Sequence, residues 1–285
     1  MASKLKVVAT PIGNVRDISA RAIEELKKAD LILAEDTRSA LKLINYLGIQ
    51  LKAAAKVISC HSQMEEHRAT VVIERLNANE NVLVLSDAGC PVISDPGSLL
   101  VQAVVNAGLD VEVIPGPSAL TSAIMGAGID TTRFAFLGFL PQKGGLRKKL
   151  ILSSAEAELA LVIYEAPQRI ATLLKDLFDL LGPRRVVVAR ELTKLYETFH
   201  RGELGQVLTP PFMEKGECVV VVEAGPLLLA HQEADQAGEI ATLIENKIAE
   251  GLSTKDVTKL LVSTFHMKKS LAYDLVVKIM KPQSK

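Results

Sequence analysis

Short runs of consecutive apolar residues alternate along this chain with stretches in which apolar side chains recur every three or four positions. The runs Leu5–Ala9, Leu31–Ala34, Val57–Ser59, Val82–Leu85, Val111–Ile114, Phe134–Phe139, Leu159–Tyr164, Arg185–Arg190, Glu197–His200 and Glu217–Val222 predict strands. Helices are expected between most of them. Behind an N-cap at Ser19, the residues Ala22, Ile23, Leu26 and Ala29 fall on one helical face, and Ile170, Leu173, Leu174, Leu177 and Leu181 do the same within Pro167–Leu181. These stripes read as core. Strands separated by helices imply an α/β fold with a largely parallel sheet covered by helices.

The pattern changes twice. Near residue 120 short strand-to-helix units give way to longer strands and a Gly-punctuated aromatic run, Phe134, Phe136, Gly138 and Phe139. Beyond "EAGPLLLAHQEAD" the chain reads as helical throughout. Gly251-Leu252 stops one helix, Ser253 with Asp256 three residues on forms a capping box, and two short helices follow around His266-Met267, in helix-turn-helix outline. The expected domains are therefore 1–120, 121–228 and a small helical C-terminal module, 229–285.

Composition narrows the class. With 285 residues, 48% of them hydrophobic and 23% charged, the chain can bury a large core. No run approaches the ~20 apolar residues of a membrane span, and the opening residues lack a signal-peptide pattern, so a soluble, cytoplasmic protein with no membrane partner is expected. Cys60, Cys90 and Cys218 are far apart, which argues against a disulfide framework or a Cys-ligated zinc site. No other metal-ligand spacing occurs, and no metal is expected. The 33 basic and 33 acidic residues cancel, yet their distribution is uneven. "PQKGGLRKKL" carries four cations and no acid, and Ser253–Lys285 holds seven lysines against two aspartates. Each patch reads either as a nucleic-acid contact or as a solvated surface.

Three turns follow strands: "TPIGN", "LSDAGCPVISDPG" and "IPGPSAL". In open α/β sheets ligands bind at the carboxyl ends of strands, and glycine there lets backbone approach a ligand closely. Alone, each turn is more often only a loop. Asp87 at a strand end suits a ribose hydroxyl or an amine, and equally a turn cap. The chain has no Walker A glycine-lysine pair and no Gly-x-Ser-x-Gly nucleophile elbow.

The segments "VVATPIGNVRDISARAIEELKKADLILAEDTR", "LSDAGCPVISDPG", "VIPGPSALTSAIMGAG", "FLGFLPQK", "YEAPQRI" and "ARELTKLYETFHRG" together resemble the bacterial 16S ribosomal RNA (cytidine-2′-O)-methyltransferases that modify a decoding-centre cytidine, in the tetrapyrrole methylase superfamily. The resemblance runs in order from about residue 6 to near Val222. It implies two α/β domains with a cofactor cleft between them, S-adenosyl-L-methionine as cofactor, 16S rRNA in the small ribosomal subunit as partner, and a homodimer. Carried over by position, cofactor contacts fall on Pro11, Ile12, Gly13, Asp87, Gly89, Ser118, Ala119, Tyr164, Ala189 and Glu191. Cys90 departs from the family pattern, which has Thr there, and puts one hydroxyl contact in doubt.

Methylating a ribose hydroxyl calls for orientation, and for a base or a cation near the forming alkoxide. Glu191 with Lys194, Asp36 with Arg38, and His61 with Glu65 are the candidates, each open to a purely structural reading. Phosphate contacts are expected from Arg38, Lys143, Arg147, Lys148, Lys149, Arg169, Arg190 and Lys194. With 4% aromatic residues and no Trp, extensive base stacking is not the expected mode. Two alternatives stay open: methylation of another substrate within the superfamily, such as a tetrapyrrole or a diphthamide precursor, and a non-catalytic RNA-binding assembly factor.

Overall fold

A computed structural model describes residues 3–61, 64–142, 145–206, 216–225, 240–265, 267 and 269–280. The chain divides into two compact units, Met1–Gly225 and Pro226–Lys285.

The first unit contains both sheets. Strands β1 (Leu5–Val8), β2 (Leu31–Ala34), β3 (Lys56–Ser59), β4 (Val82–Leu85) and β5 (Val111–Ile114) form an all-parallel sheet in the order β3-β2-β4-β1-β5. The neighbouring strands β2 (LILA) and β4 (VLVL) are apolar and buried at every position because helices cover both faces there. Ile32 and Ala34 face the cluster built with Ala22 and Leu26 of α1 (Ala20–Lys28) and Ala40 and Ile44 of α2 (Thr37–Tyr46). Leu31 and Leu33, one position off, face Val72 and Leu76 of α3 (Glu65–Asn77) and Leu100 and Val104 of α4 (Ser98–Asn106). The Ser19 hydroxyl accepts from the Ala22 amide at 3.1 Å and caps α1, as its position in the sequence predicts.

The second sheet differs from the parallel expectation. Strands β6 (Phe134–Phe139), β7 (Ala160–Glu165), β8 (Arg185–Arg190), β9 (Thr198–Glu203) and β10 (Cys218–Val222) run in the order β6-β7-β10-β8-β9. Only β6 and β7 pair in parallel; β10 is antiparallel to both β7 and β8, and β8 is antiparallel to β9. The physical reason is connectivity: no helix intervenes between β8 and β9, so the chain returns directly and antiparallel. Helix α5 (Ala119–Ala127) belongs to this sheet, burying Ala123 and Ala127 against Val162, Val187, Ala189, Val219 and Val221. Helix α6 (Gly145–Glu156) packs on β7 and on α7 (Ile170–Leu181).

The second unit holds a helix over 240–249 (α8), α9 (Thr254–Phe265) and α10 (Lys269–Met280), packed around Ile240, Ile244, Val257, Leu261, Ala272 and Val276. Ser253 accepts from the Asp256 amide at 3.3 Å. His266, expected between two helices, lies outside the described residues. Two α/β sheets followed by helices are thus the architecture. Among the described residues no helix is long and apolar enough to cross a membrane.

Candidate active site

Strands β4, β1 and β5 are consecutive neighbours in the first sheet, so the three turns singled out in the sequence emerge side by side. The first two are joined. The Thr10 amide donates to the Gly89 carbonyl at 2.8 Å and the Gly89 amide returns a bond to the Thr10 carbonyl at 3.1 Å. Below them the Thr10 hydroxyl donates to the Ser86 carbonyl at 3.1 Å. Gly89 has φ +79°, a conformation that favours glycine, and a Cβ there would also crowd Ile12 Cγ2 at 3.2 Å. Cys90 links the second turn to the third by donating to the Pro117 carbonyl at 3.4 Å.

These turns and the ends of the second sheet enclose a cavity of about 400 Å³. Of the expected cofactor residues, Ile12, Asp87, Gly89, Ser118, Ala119 and Tyr164 line it. Four do not. Gly13 is packed on Thr193 and Lys194. Pro11 flanks Ile12 without lining the cavity. Ala189 is wholly buried in β8, where it pairs in register with the cavity-lining Val219, so its side chain has no surface to offer. Glu191 sits one layer back: its carboxylate accepts from the amide of Glu217, which itself lines the cavity, at 3.1 Å.

The wall from the first sheet is acidic. Glu35, Asp87 and Asp95 all line the cavity. Burial, with Glu35 and Asp87 alongside, pushes the Asp95 carboxyl up to about 6 against a bond to Ser86 that pulls it down. Glu35 is raised as well, by burial and then by Asp87 and Asp36. Neither Glu35 nor Asp95 was singled out from the sequence, although Asp95 precedes a Pro-Gly in the same loop as Asp87. Cys218, Leu192 and Phe139 also line the cavity.

The acids expected to do chemistry are committed elsewhere. Asp36 caps α2 at the Arg38 amide, 2.8 Å away, and grips the Arg38 guanidinium, which holds its carboxyl down at about 2. The Asp36 amide in turn donates to the Asp87 carboxylate at 3.1 Å. Burial alone would raise Glu191, but the Lys194 ammonium, 2.9 Å away, and the Glu217 amide keep it low. Lys194 also pairs with the Glu217 carboxylate at 3.1 Å. Glu65 is buried and accepts from the Leu99 and Leu100 amides at the start of α4, a structural cap, while His61 is exposed.

The expected cations separate into two kinds. Lys148 and Lys149 are exposed on α6. Arg147 is not: its side chain is 6% exposed and pairs with Asp176 of α7 at 2.8 Å, because α6 turns that face inward. Arg169 holds the wholly buried Glu165 carboxylate at 2.9 Å and the Leu140 carbonyl at 3.1 Å, so it braces the cavity wall from behind. Arg38 is exposed but bound to Asp36. Arg190 ends β8 in register with Cys218. Lys143 lies outside the described residues.

Of the six non-glycine residues with positive φ among the described residues, four lie in two loops at this cavity: Val92 (+76°) and Ser94 (+65°), and Glu191 (+52°) and Thr193 (+65°). A β-branched side chain rarely accepts that conformation, and such strain concentrates where loop geometry is fixed for ligands.

Residues 4–208 match the family of Tetrapyrrole (Corrin/Porphyrin) Methylases. The Ribosomal RNA small subunit methyltransferase I of Synechocystis sp. is 38% identical over 281 residues, 96% of this chain and 98% of that protein. Its namesake from Thermotoga maritima is 39% identical over 221 residues, 77% of this chain and 97% of that protein. The fold is also similar to solved structures of diphthine synthase (TM-score 0.61, 16% identity, 77% of this chain and 89% of that one) and of the methyltransferase CobJ (TM-score 0.58, 20% identity, 79% and 95%). With the methylase family matched across both sheets' turns and ribosomal RNA methyltransferases matched nearly end to end, the chain belongs to the tetrapyrrole methylases and, among them, to the ribosomal RNA small subunit methyltransferase I family.

Proposed function

We propose that the protein methylates the ribose 2′-hydroxyl of a cytidine in the decoding centre of 16S rRNA, using S-adenosylmethionine, on the small ribosomal subunit in the cytoplasm and as a homodimer. In this reading residues 1–120 and 121–228 act as two domains around the cofactor cleft, with 229–285 as an accessory helical module. The observation that carries it is the convergence of three strand-end turns on one cavity, in a chain of this family.

The cavity suits the cofactor. Glu35, Asp87 and Asp95 offer negative charge to an ammonium and a sulfonium, while Ile12, Leu192 and Val219 give an apolar floor. When bound, S-adenosylmethionine supplies an electrophilic methyl group. The chain's own residues orient and exclude water: Gly89 lets the backbone approach, Ser118 presents the start of α5, and Tyr164 closes the second-sheet side. The Lys194 ammonium, held between Glu191 and Glu217, places positive charge behind the cavity wall. Lys148 and Lys149 are the exposed cations available for phosphate.

The test is transfer of labelled methyl from S-adenosylmethionine to purified 30S subunits, with ribose methylation mapped by resistance to alkaline cleavage. A single modified cytidine is expected. Label on protein or small molecules only, with unmodified rRNA, overturns the assignment.

A further inference from the structure

Strand β6 carries a bulge: its register against β7 shifts between Phe136 and Gly138. Gly138 is in the left-handed region, φ +57°, and a Cβ built on it would lie 2.9 Å from the Ser94 hydroxyl oxygen. The bulge and the Ser94 loop are thus in contact, and a bulge of this kind re-aims the next side chain. That side chain is Phe139. It lines the cavity yet is 62% exposed, with its ring edge-on to Tyr164 at 5.5 Å between centroids. On the other partner of the contact, Ile93 lines the same cavity and is 38% exposed, fixed outward between Val92 and Ser94, both at positive φ. Left-handed backbone on two segments, which Gly138 adopts freely and Val92 and Ser94 only under strain, therefore holds two exposed apolar side chains at a cavity whose first-sheet wall is acidic.

Phe139 meets Tyr164 with one part of its ring and leaves most of its surface uncovered. It is not among the side chains packed on the core cluster that includes Ile12, Leu192 and Val219, whereas Phe136 and Tyr164 are. Its free face is a platform for a flat, uncharged ligand, since aromatic faces stack on any base. The acids behind it exclude phosphate, so only the base and sugar of a nucleotide can enter while its phosphates stay outside. A ribose brought to the edge of this cavity, with its base on the Phe139 ring, belongs to a nucleotide drawn out of its stack.

We propose that Phe139, with Ile93, receives the unstacked pyrimidine base of the target nucleotide at the rim of the cofactor cavity, and so positions the substrate there. This rests on the functional reading above.

The test compares wild type, Phe139→Ala, Phe139→Trp and Ile93→Ala in steady-state methylation of 30S subunits, with S-adenosylmethionine affinity by calorimetry and thermal melting alongside. Phe139→Ala should raise KM for 30S about tenfold or more, the loss of one base-stacking contact. Ile93→Ala should raise it less, Phe139→Trp should keep it within about threefold, and in each the change in cofactor affinity should be much smaller than the change in KM for 30S. An unchanged KM in Phe139→Ala, or a cofactor affinity that falls in step with it, overturns the proposal; if Phe139→Ala melts early, an unchanged KM in Ile93→Ala, or a KM raised well beyond threefold in a stably folded Phe139→Trp, overturns it instead. A wild type that leaves 30S rRNA unmethylated instead overturns the functional reading and removes the base-binding role with it.

Discussion

Gly13 and Lys194 touch across the two sheets of the first unit so closely that a Cβ on Gly13 would stand 2.5 Å from Lys194 Cγ and 2.9 Å from the Thr193 hydroxyl oxygen. The Asn14 amide donates to that hydroxyl at 3.1 Å. Gly13 therefore serves the site without lining it, by letting the first turn dock against the loop that carries Glu191, Leu192 and Lys194. Replacing it by Ala should push that loop away from the cavity, weakening S-adenosylmethionine binding at least about tenfold while far-ultraviolet dichroism stays unchanged. Wild-type affinity in calorimetry would show that the contact is incidental.

Asp87 lines the cavity and also accepts from the Asp36 amide. Asp87→Ala should lose a charge-assisted bond to the cofactor, a weakening of about ten- to a hundredfold. Asp87→Asn keeps an acceptor for Asp36 and removes only the charge. Equal loss in both variants assigns the effect to charge; loss in Ala alone assigns it to the entry of α2.

For Asp95 the direction of the pH effect follows from its raised folded value. Unfolded, it ionises near 3.8; folded, it keeps its proton to about 6. Between those values only the unfolded chain releases the proton, so stability falls as pH rises through the interval and stays reduced above it. Asp95→Asn should therefore melt about 2–4 °C higher than wild type at pH 7.5, for about 1 kcal/mol after solvent screening of a half-exposed group, and match it below pH 4. In wild type kcat/KM should rise through about pH 6 if the ionised carboxylate is required, and the Asn variant should lack that limb. A lower melting temperature for Asp95→Asn at pH 7.5 would refute the environment assigned to this residue.

The basic run on α6 should separate by experiment as it does in space. Lys148→Ala with Lys149→Ala should leave the melting temperature unchanged, lower 30S affinity, and flatten its salt dependence by about 0.7–0.9 log units per lost phosphate contact. Arg147→Ala should instead destabilise by about 1–3 kcal/mol, because it strands Asp176 and opens the packing between α6 and α7. The reverse pattern would mean that Arg147 reaches RNA.

Truncation after Gly225 follows the division between the compact units. The shortened protein should fold and bind S-adenosylmethionine, with a raised KM for 30S subunits if the lysine-rich unit docks on RNA. Retained KM with a change in sedimentation would make that unit an assembly element.

Strands and helix starts were legible because burial writes itself into periodicity. The alternation of Leu31 and Leu33 with Ile32 and Ala34 is visible only as a solid apolar run, yet that run is what a sheet covered on both faces requires. Ser19 was legible because a helix start needs a cap, and the three turns because backbone that must turn beside a ligand needs Gly or Pro. The partners of those turns were not. Asp95, Phe139 and Cys218 meet in one cavity through strand order and a bulge, and neither leaves a periodic trace, although a glycine inside the apolar run "FAFLGF" is the signal a bulge gives. Arg147 misled for the complementary reason: a run of cations does not say which of its members the helix turns inward.

The paired bonds between Thr10 and Gly89 extend sheet-like bonding beyond the ends of β1 and β4, into turns that would otherwise be ordered separately. Those two amides should consequently exchange with deuterium as slowly as the strands do, with or without ligand. The entropy of arranging this side of the pocket is then met when the chain folds, so cofactor association carries little ordering cost there and its affinity reflects contacts made by a preformed surface.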